Sequence, residues 1–163
     1  MDIHAVRKVV WSLFWVIAMV LVCVQRGYGF FIGLPLLSLL FWIPYCLWIA
    51  VKLPVFRAIR LCQLGLWVVG IAMVIVVHHL RDNRTREHAD DILHKIQDFH
   101  AAQGHYPEKL AEIGFSDEPT RRDWGIIYVN VKPAPTMLYR TSFDPFDRYI
   151  YDFANREWEY YPD

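Results

Sequence analysis

The chain has 163 residues, of which 55% are apolar and 16% aromatic, and its mean hydropathy is positive. That is too apolar for one ordinary soluble domain. Its formal charge is zero but unevenly spread: six Lys/Arg face one acid, Asp2, in 1–80, and eleven face sixteen acids in 81–163, giving +5 and −5. An acidic second half excludes nucleic acid as its partner, because release of phosphate counterions requires a basic face.

In chain order, Ala5 to Val24 is about 20 residues, or ~30 Å of helix, enough for a hydrocarbon core. Arg7 and Lys8 open it, and a lipoprotein reading of Cys23 fails because Val22 stands where a small residue is needed. A polar turn, Gln25 to Gly29, leads to a second apolar run, Phe30 to Val51, which carries Pro35 and Pro44. Lys52 to Arg60 reads as a basic connector, and Leu61 to Leu80 as a third run. Trp11, Trp15, Trp42, Trp48 and Trp67 fall near the run ends or on lipid-facing turns, where amphipathic rings collect. The expectation is a membrane domain over 1–80 with three transmembrane helices at about 5–24, 30–51 and 61–80. Cys23, Cys46 and Cys62 lie in or beside these runs and read as small apolar packers.

Lys/Arg bias sets the orientation. With the N-terminus inside, Arg7, Lys8, Lys52, Arg57 and Arg60 are cytoplasmic, and Arg26, Arg81, Arg84 and Arg86 are outside. Three spans then put the C-terminal domain in the periplasm of a bacterial cell, with the chain in the inner membrane.

The third run continues without Pro or Gly into an amphipathic helix, Arg84 to Gln103. Ala89, Ile92, Leu93, Ile96, Phe99 and Gln103 recur at three- and four-residue steps, leaving Asp90, Asp91, Lys95 and Asp98 on the wet side. Gly104 supplies a left-handed stop, followed by Tyr106 and Pro107; a short turn of helix, Glu108 to Ile113, ends at Gly114. Phe115 to Asp123 is polar and turn-rich. Period-two alternation then marks Trp124 to Val131 and Thr136 to Phe143 as strands joined by Lys132-Pro133-Ala134-Pro135. A second hairpin pairs 149–153 with 157–161 through Ala154-Asn155-Arg156, with an aromatic face of Tyr149, Tyr151, Phe153, Trp158 and Tyr160. An antiparallel sheet with one apolar face and a helix with one apolar stripe bury each other, so 81–163 is an α+β domain with Phe99 and Trp158 in its core.

An apolar helix continuing into an amphipathic one, a Gly-x-Tyr-Pro stop at Gly104, Tyr106 and Pro107, and an Asp-Pro-aromatic opening at Asp144, Pro145 and Phe146 before the last hairpin resemble the globular domain of type II secretion pseudopilins. The resemblance implies a pseudopilin-like α+β fold for roughly the last hundred residues. A pseudopilin leader, its processing Gly and its fifth-position Glu precede neither run one nor run three, so the chain is not expected to be processed as a pilin. The family's Gly-rich, calcium-holding acidic tail has no counterpart after the last strand, which leaves only Asp144, Asp147 and Asp152 as calcium candidates.

Other chemistry finds little footing. His88, His94 and His100 are six apart, about 240° around a helix, and cannot share a metal. Glu87, Asp91 and His94 share a face but read as a solvated one. No phosphate loop, nucleophile elbow, paired-Cys zinc spacing or His-Glu-x-x-His occurs, and the three runs hold no Asp or Glu for an ion path. The expectation is therefore a non-enzymatic membrane protein without cofactor, metal, nucleic-acid partner or small-molecule substrate. Its partners are the lipid bilayer and a protein: a toxin if it is of the immunity type, a secretion component if it is an accessory subunit of a type II secretion or type IV pilus system. Asp117, Glu118, Asp144, Asp147, Glu157, Glu159 and Tyr161, off the core face or in loops, form the expected acidic contact surface.

Overall fold

A computed structural model describes residues 3–131 and 134–162. The chain forms two compact units, Met1–His78 and His79–Asp163.

In the first unit, α1 (Ile3–Cys23) is followed by a turn, a 3-10 turn (Gly29–Ile32) and α2 (Gly33–Lys52). Only Leu53 breaks the helix before α3, which runs Pro54–Gln103. The expected connector Lys52 to Arg60 is thus helical from Pro54, a residue whose fixed φ suits a first helical position. α1 runs parallel to α3: the buried Gln63 amide donates to Lys8 O (3.2 Å) and Ser12 Oγ (2.9 Å), Gly70 meets Val16, Met19 and Val20, and His78 Nε2 lies 2.7 Å from Cys23 O. Buried polar groups between apolar helices thus all find partners within the unit.

Two described stretches, Gly29–Lys52 and Pro54–Gln103, are helices long and apolar enough to cross a membrane. Only 17% and 22% of their most apolar windows are buried, so they are not core helices of a soluble fold, and they support membrane association. This overturns the three-transmembrane-helix fold expected from the sequence. Arg7 and Lys8 occupy the first turns of α1, and what remains, residues 9–23 with Ser12 among them, spans about 15 residues or ~22 Å, short of a hydrocarbon core.

In the second unit the α+β class holds. After α3 come a 3-10 turn (Leu110–Ile113), a helical turn α4 (Asp117–Pro119) that widens into a π turn (Thr120–Trp124), and four strands: β1 (Ile126–Val129), β2 (Thr136–Arg140), β3 (Arg148–Asp152) and β4 (Glu157–Tyr161). They form one antiparallel sheet in the order β1-β2-β3-β4. Of the expected first hairpin loop, Lys132 and Pro133 lie outside the described residues. Gly104 and Gly114 both take positive φ, 75° and 86°, and end their helices as left-handed stops.

Ala89, Ile92, Leu93 and Ile96 of α3 pack with Leu110, Ile126, Met137, Tyr139 and Tyr151 in one core. Cross-strand pairs Tyr139 with Tyr149, Tyr149 with Tyr160, and Tyr151 with Trp158 make the core face aromatic. Two expectations need adjusting. Phe99 is only half-buried, edge-on to His105 at the end of the helix and outside this core, because the sheet reaches no further along α3. Gln103 is exposed. Trp158 is half-buried against the core, between Tyr139 and Tyr151.

Candidate functional site

The second unit offers two sheet edges and the loops that flank them. The face of the sheet opposite α3 carries Ile127 and Val129 of β1, Leu138 and Arg140 of β2, Arg148, Ile150 and Asp152 of β3, and Glu157, Glu159 and Tyr161 of β4. Register sets Glu157 beside Asp152 and Tyr161 beside Arg148, so one end of this face is acidic and the other basic. Glu157 is exposed and Tyr161 is 42% exposed; the Tyr161 hydroxyl donates to Glu159 Oε2, and that acceptor raises its pKa above the ordinary value.

The other expected residues lie elsewhere. Asp117 and Glu118 flank a cleft at the free edge of β1, lined also by Glu108, Lys109, Arg121 and Asn130. Asp117 Oδ1 accepts from Leu110 N (3.2 Å), and Glu118 pairs with Arg121 at 3.4 Å on the surface. β1 and β4 are opposite edges, three strand spacings or roughly 14 Å apart. Asp117 and Glu118 therefore lie apart from Glu157, Glu159 and Tyr161, and Asp144 and Asp147 lie in the loop between β2 and β3.

No family model, curated protein or solved structure matches this chain. The geometry alone must rank the expected residues.

Asp144 and Asp147 are loop-building groups. Asp144 Oδ1 accepts from Phe146 N (3.0 Å), Thr141 Oγ1 donates to Asp144 O (2.7 Å), and the Tyr160 hydroxyl donates to Asp147 Oδ2 (2.6 Å), which pushes the Tyr160 pKa up to about 12. Asp152 accepts from Ala154 N and Asn155 Nδ2, both at 2.7 Å, and so builds the β3–β4 turn. The three calcium candidates are each committed to protein donors, and the described residues hold no cluster of three potential metal ligands. The expected structural residues hold the joint after α3: Pro107 is fully buried, its carbonyl accepts from Tyr128 Oη (2.8 Å) and Asn130 Nδ2 (3.0 Å), and Tyr106 stacks on His100 at 4.1 Å.

Sequence reasoning missed Asp90 and Asp82. Asp90, assigned to the wet side, accepts from Trp158 Nε1 at 2.8 Å, and Asp82 Oδ1 accepts from Ser142 N at 2.6 Å. With Gln97 Nε2 donating to Tyr151 Oη (3.1 Å), these bonds fasten the polar flank of α3 to the sheet. Trp158 offered the one legible signal, since a core indole N–H needs an acceptor. The helix at 117–124 was also missed, although Ser116 before two acids and Gly125 after Trp124 bracket it.

Proposed function

We propose that the chain is a non-enzymatic bacterial inner-membrane protein that displays a pseudopilin-like protein-binding unit and acts as an immunity-type protein, neutralising a toxin at the membrane. The observation that carries this reading is the β4 edge, where Glu157, Glu159 and the exposed Tyr160 and Tyr161 stand on a strand paired on one side only. Acidic side chains steer a basic partner, aromatic rings give it contact area, and the free backbone edge can pair with an extended segment. A unit with a net charge of −5 following helices able to cross a membrane suits capture at the membrane surface.

Support for a periplasmic position comes from the ends of the first unit. Arg7, Lys8 and Arg60 line one cavity, at the end that also holds Lys52 and Arg57; Arg26 lies at the other end, from which the chain continues through Arg81, Arg84 and Arg86. The end with more cations stays in the cytoplasm by the positive-inside rule. A reporter joined to the C-terminus should be active only outside the cytoplasm, and activity only inside would reverse this assignment.

The binding experiment co-expresses the intact protein with the product of the adjacent gene. Glu157→Lys with Glu159→Lys should abolish protection at normal membrane levels, while Asp117→Lys with Glu118→Lys should leave it intact. The opposite pattern would move the site to the β1 cleft. Absence of protection even from the unaltered protein would sink the immunity reading. It would favour an accessory subunit of a type II secretion or type IV pilus system, the alternative favoured by the α3 stripe packed on a four-stranded sheet behind a Gly-x-Tyr-Pro stop.

A further inference from the structure

The first unit holds a cavity of about 780 Å³ among its three helices, lined by Arg7, Lys8, Arg60, Gln63, Ser12 and Ser38 and by four indoles, Trp11, Trp15, Trp42 and Trp67. Its size is that of an ordinary small-molecule site. Trp15 and Trp67 also line a second cavity of about 500 Å³, whose other walls are apolar, from Ala18, Met19, Val22 and Cys23 on α1 to Phe31 in the 3-10 turn and Leu34 and Pro35 at the start of α2. The shared indoles set the two cavities side by side, one cationic and the other hydrocarbon-like.

Among the described residues no carboxylate balances the charges at the cationic end. No described Asp or Glu lines either cavity. Among the described residues Arg7, Lys8 and Arg60 have no carboxylate partner: Arg60 donates to Gln63 Oε1 (3.3 Å) and lies 5.7 Å from the Tyr45 ring, and Lys8 lies 5.6 Å from the Phe56 ring. Three clustered cations at the end of helices able to cross a membrane repel one another unless an anion joins them. An arginine fork fits phosphate oxygens, while Ser and Gln side chains offer further polar contacts.

We propose that these adjoining cavities bind a membrane amphiphile whose phosphate headgroup carries a net negative charge. The phosphate sits between Arg7, Lys8 and Arg60, the four indoles surround the interfacial part of the molecule, and an acyl or isoprenoid chain lies in the apolar cavity past Trp15 and Trp67. The phosphate chemistry could also be met by free phosphate, but a dissolved ion leaves the apolar cavity without an occupant.

The test uses the full chain in vesicles of phosphatidylcholine containing a minor fraction of brominated lipid, with indole fluorescence as the readout. Brominated phosphatidylglycerol should quench far more strongly than brominated phosphatidylcholine at the same fraction. At roughly fivefold per cation, three cations give a preference on the order of a hundredfold. Arg7→Gln, Lys8→Gln and Arg60→Gln together should remove most of it. Lys52→Gln with Arg57→Gln removes charge at the same end but outside the cavity and should leave it nearly unchanged, which also controls for general surface attraction. Equal quenching by the two lipids, or equal loss in the two variants, would overturn the proposal. So would millimolar inorganic phosphate that abolishes the preference, because the site would then belong to the free ion. If the triple variant misfolds, Trp15→Phe with Trp67→Phe decides: it should lower the quenching difference between the two lipids, and an unchanged difference would place the lipid elsewhere.

Discussion

The two units use apolar residues in opposite ways. In the first, Phe41 is 77% exposed and Val51 78%, while the most deeply buried groups include a glutamine and a histidine. In the second, Ile92, Ile96 and Met137 have no exposed surface, and acids and lysines take the outside. One helix contributes to both: Val68, Val69 and Val76 of α3 point outward, whereas Ala89, Ile92 and Ile96 further along are buried. Helix formation is therefore indifferent to the solvent, and only the placement of side chains around it reports which medium each part meets.

This contrast can be broken most forcefully in the second unit. Ile92→Ala should destabilise it by ~2–5 kcal/mol, because a fully buried side chain leaves a cavity. Hydrogen exchange of the full chain in nanodiscs should show the loss in 79–163 and little change in 3–78; equal loss in both would mean the units do not unfold independently. Phe99→Ala should cost clearly less, since Phe99 is half-buried.

Trp158→Phe keeps the ring but removes the donor to Asp90, leaving a carboxylate short of its partner. A loss of ~1.5–3 kcal/mol is expected in the thermal melting of the same unit, and an unchanged midpoint would show that water replaces the bond freely.

The comparison sharpens in the first unit at Gly70, where an added Cβ would lie 2.6 Å from Val16 Cγ1, a stiff β-branched side chain. Gly70→Ala should loosen α1 from α3 at a cost of ~1–3 kcal/mol. Exchange should rise at residues 16–23 alone, and a rise confined to the sheet would contradict this packing.

At the stop after α3, Gly104 has φ 75° and open space around it, so Gly104→Val acts through backbone strain only, ~1–2 kcal/mol. His105→Ala beside it should cost a few tenths at most by melting.

Alkaline titration gives the smallest effect. The Tyr128 and Tyr139 hydroxyls are pushed up to about 12 by burial, and Tyr160 to about 12 by its bond to Asp147. The folded chain keeps protons that an unfolded one releases near pH 10, so this stabilisation is present below pH 10 and fades as pH rises towards 12. Asp147→Asn should bring one tyrosinate absorbance step back towards pH 10, and three steps at pH 10 in the unaltered protein would refute the assignment.

The sequence made the period-two strands and the α3 stripe legible because each repeats over many residues, so a single substitution of character does not hide them. It did not reveal that Asp90 faces Trp158, since a carboxylate near the boundary of a stripe is told from a solvated one only by a partner 68 positions away. The cations of 52–60 suggested a connector, yet Arg57 and Arg60 lie in the first turns of α3, and Arg is a good helix former. Likewise the acidic residues of the expected contact surface were alike in composition, and only the strand order parted the β1 group from the β4 group.

The link at Leu53 bears on how the protein is made. One non-helical residue reaches only about 3.5 Å, so the end of α2 and the start of α3 remain side by side from the moment they are synthesised. Were both helices to cross a bilayer, they would enter it as a hairpin, with the polar carbonyls at their junction shielded together. Translation halted after Lys52 should yield a chain that integrates less completely than one halted after Leu80, as read by resistance to alkaline extraction.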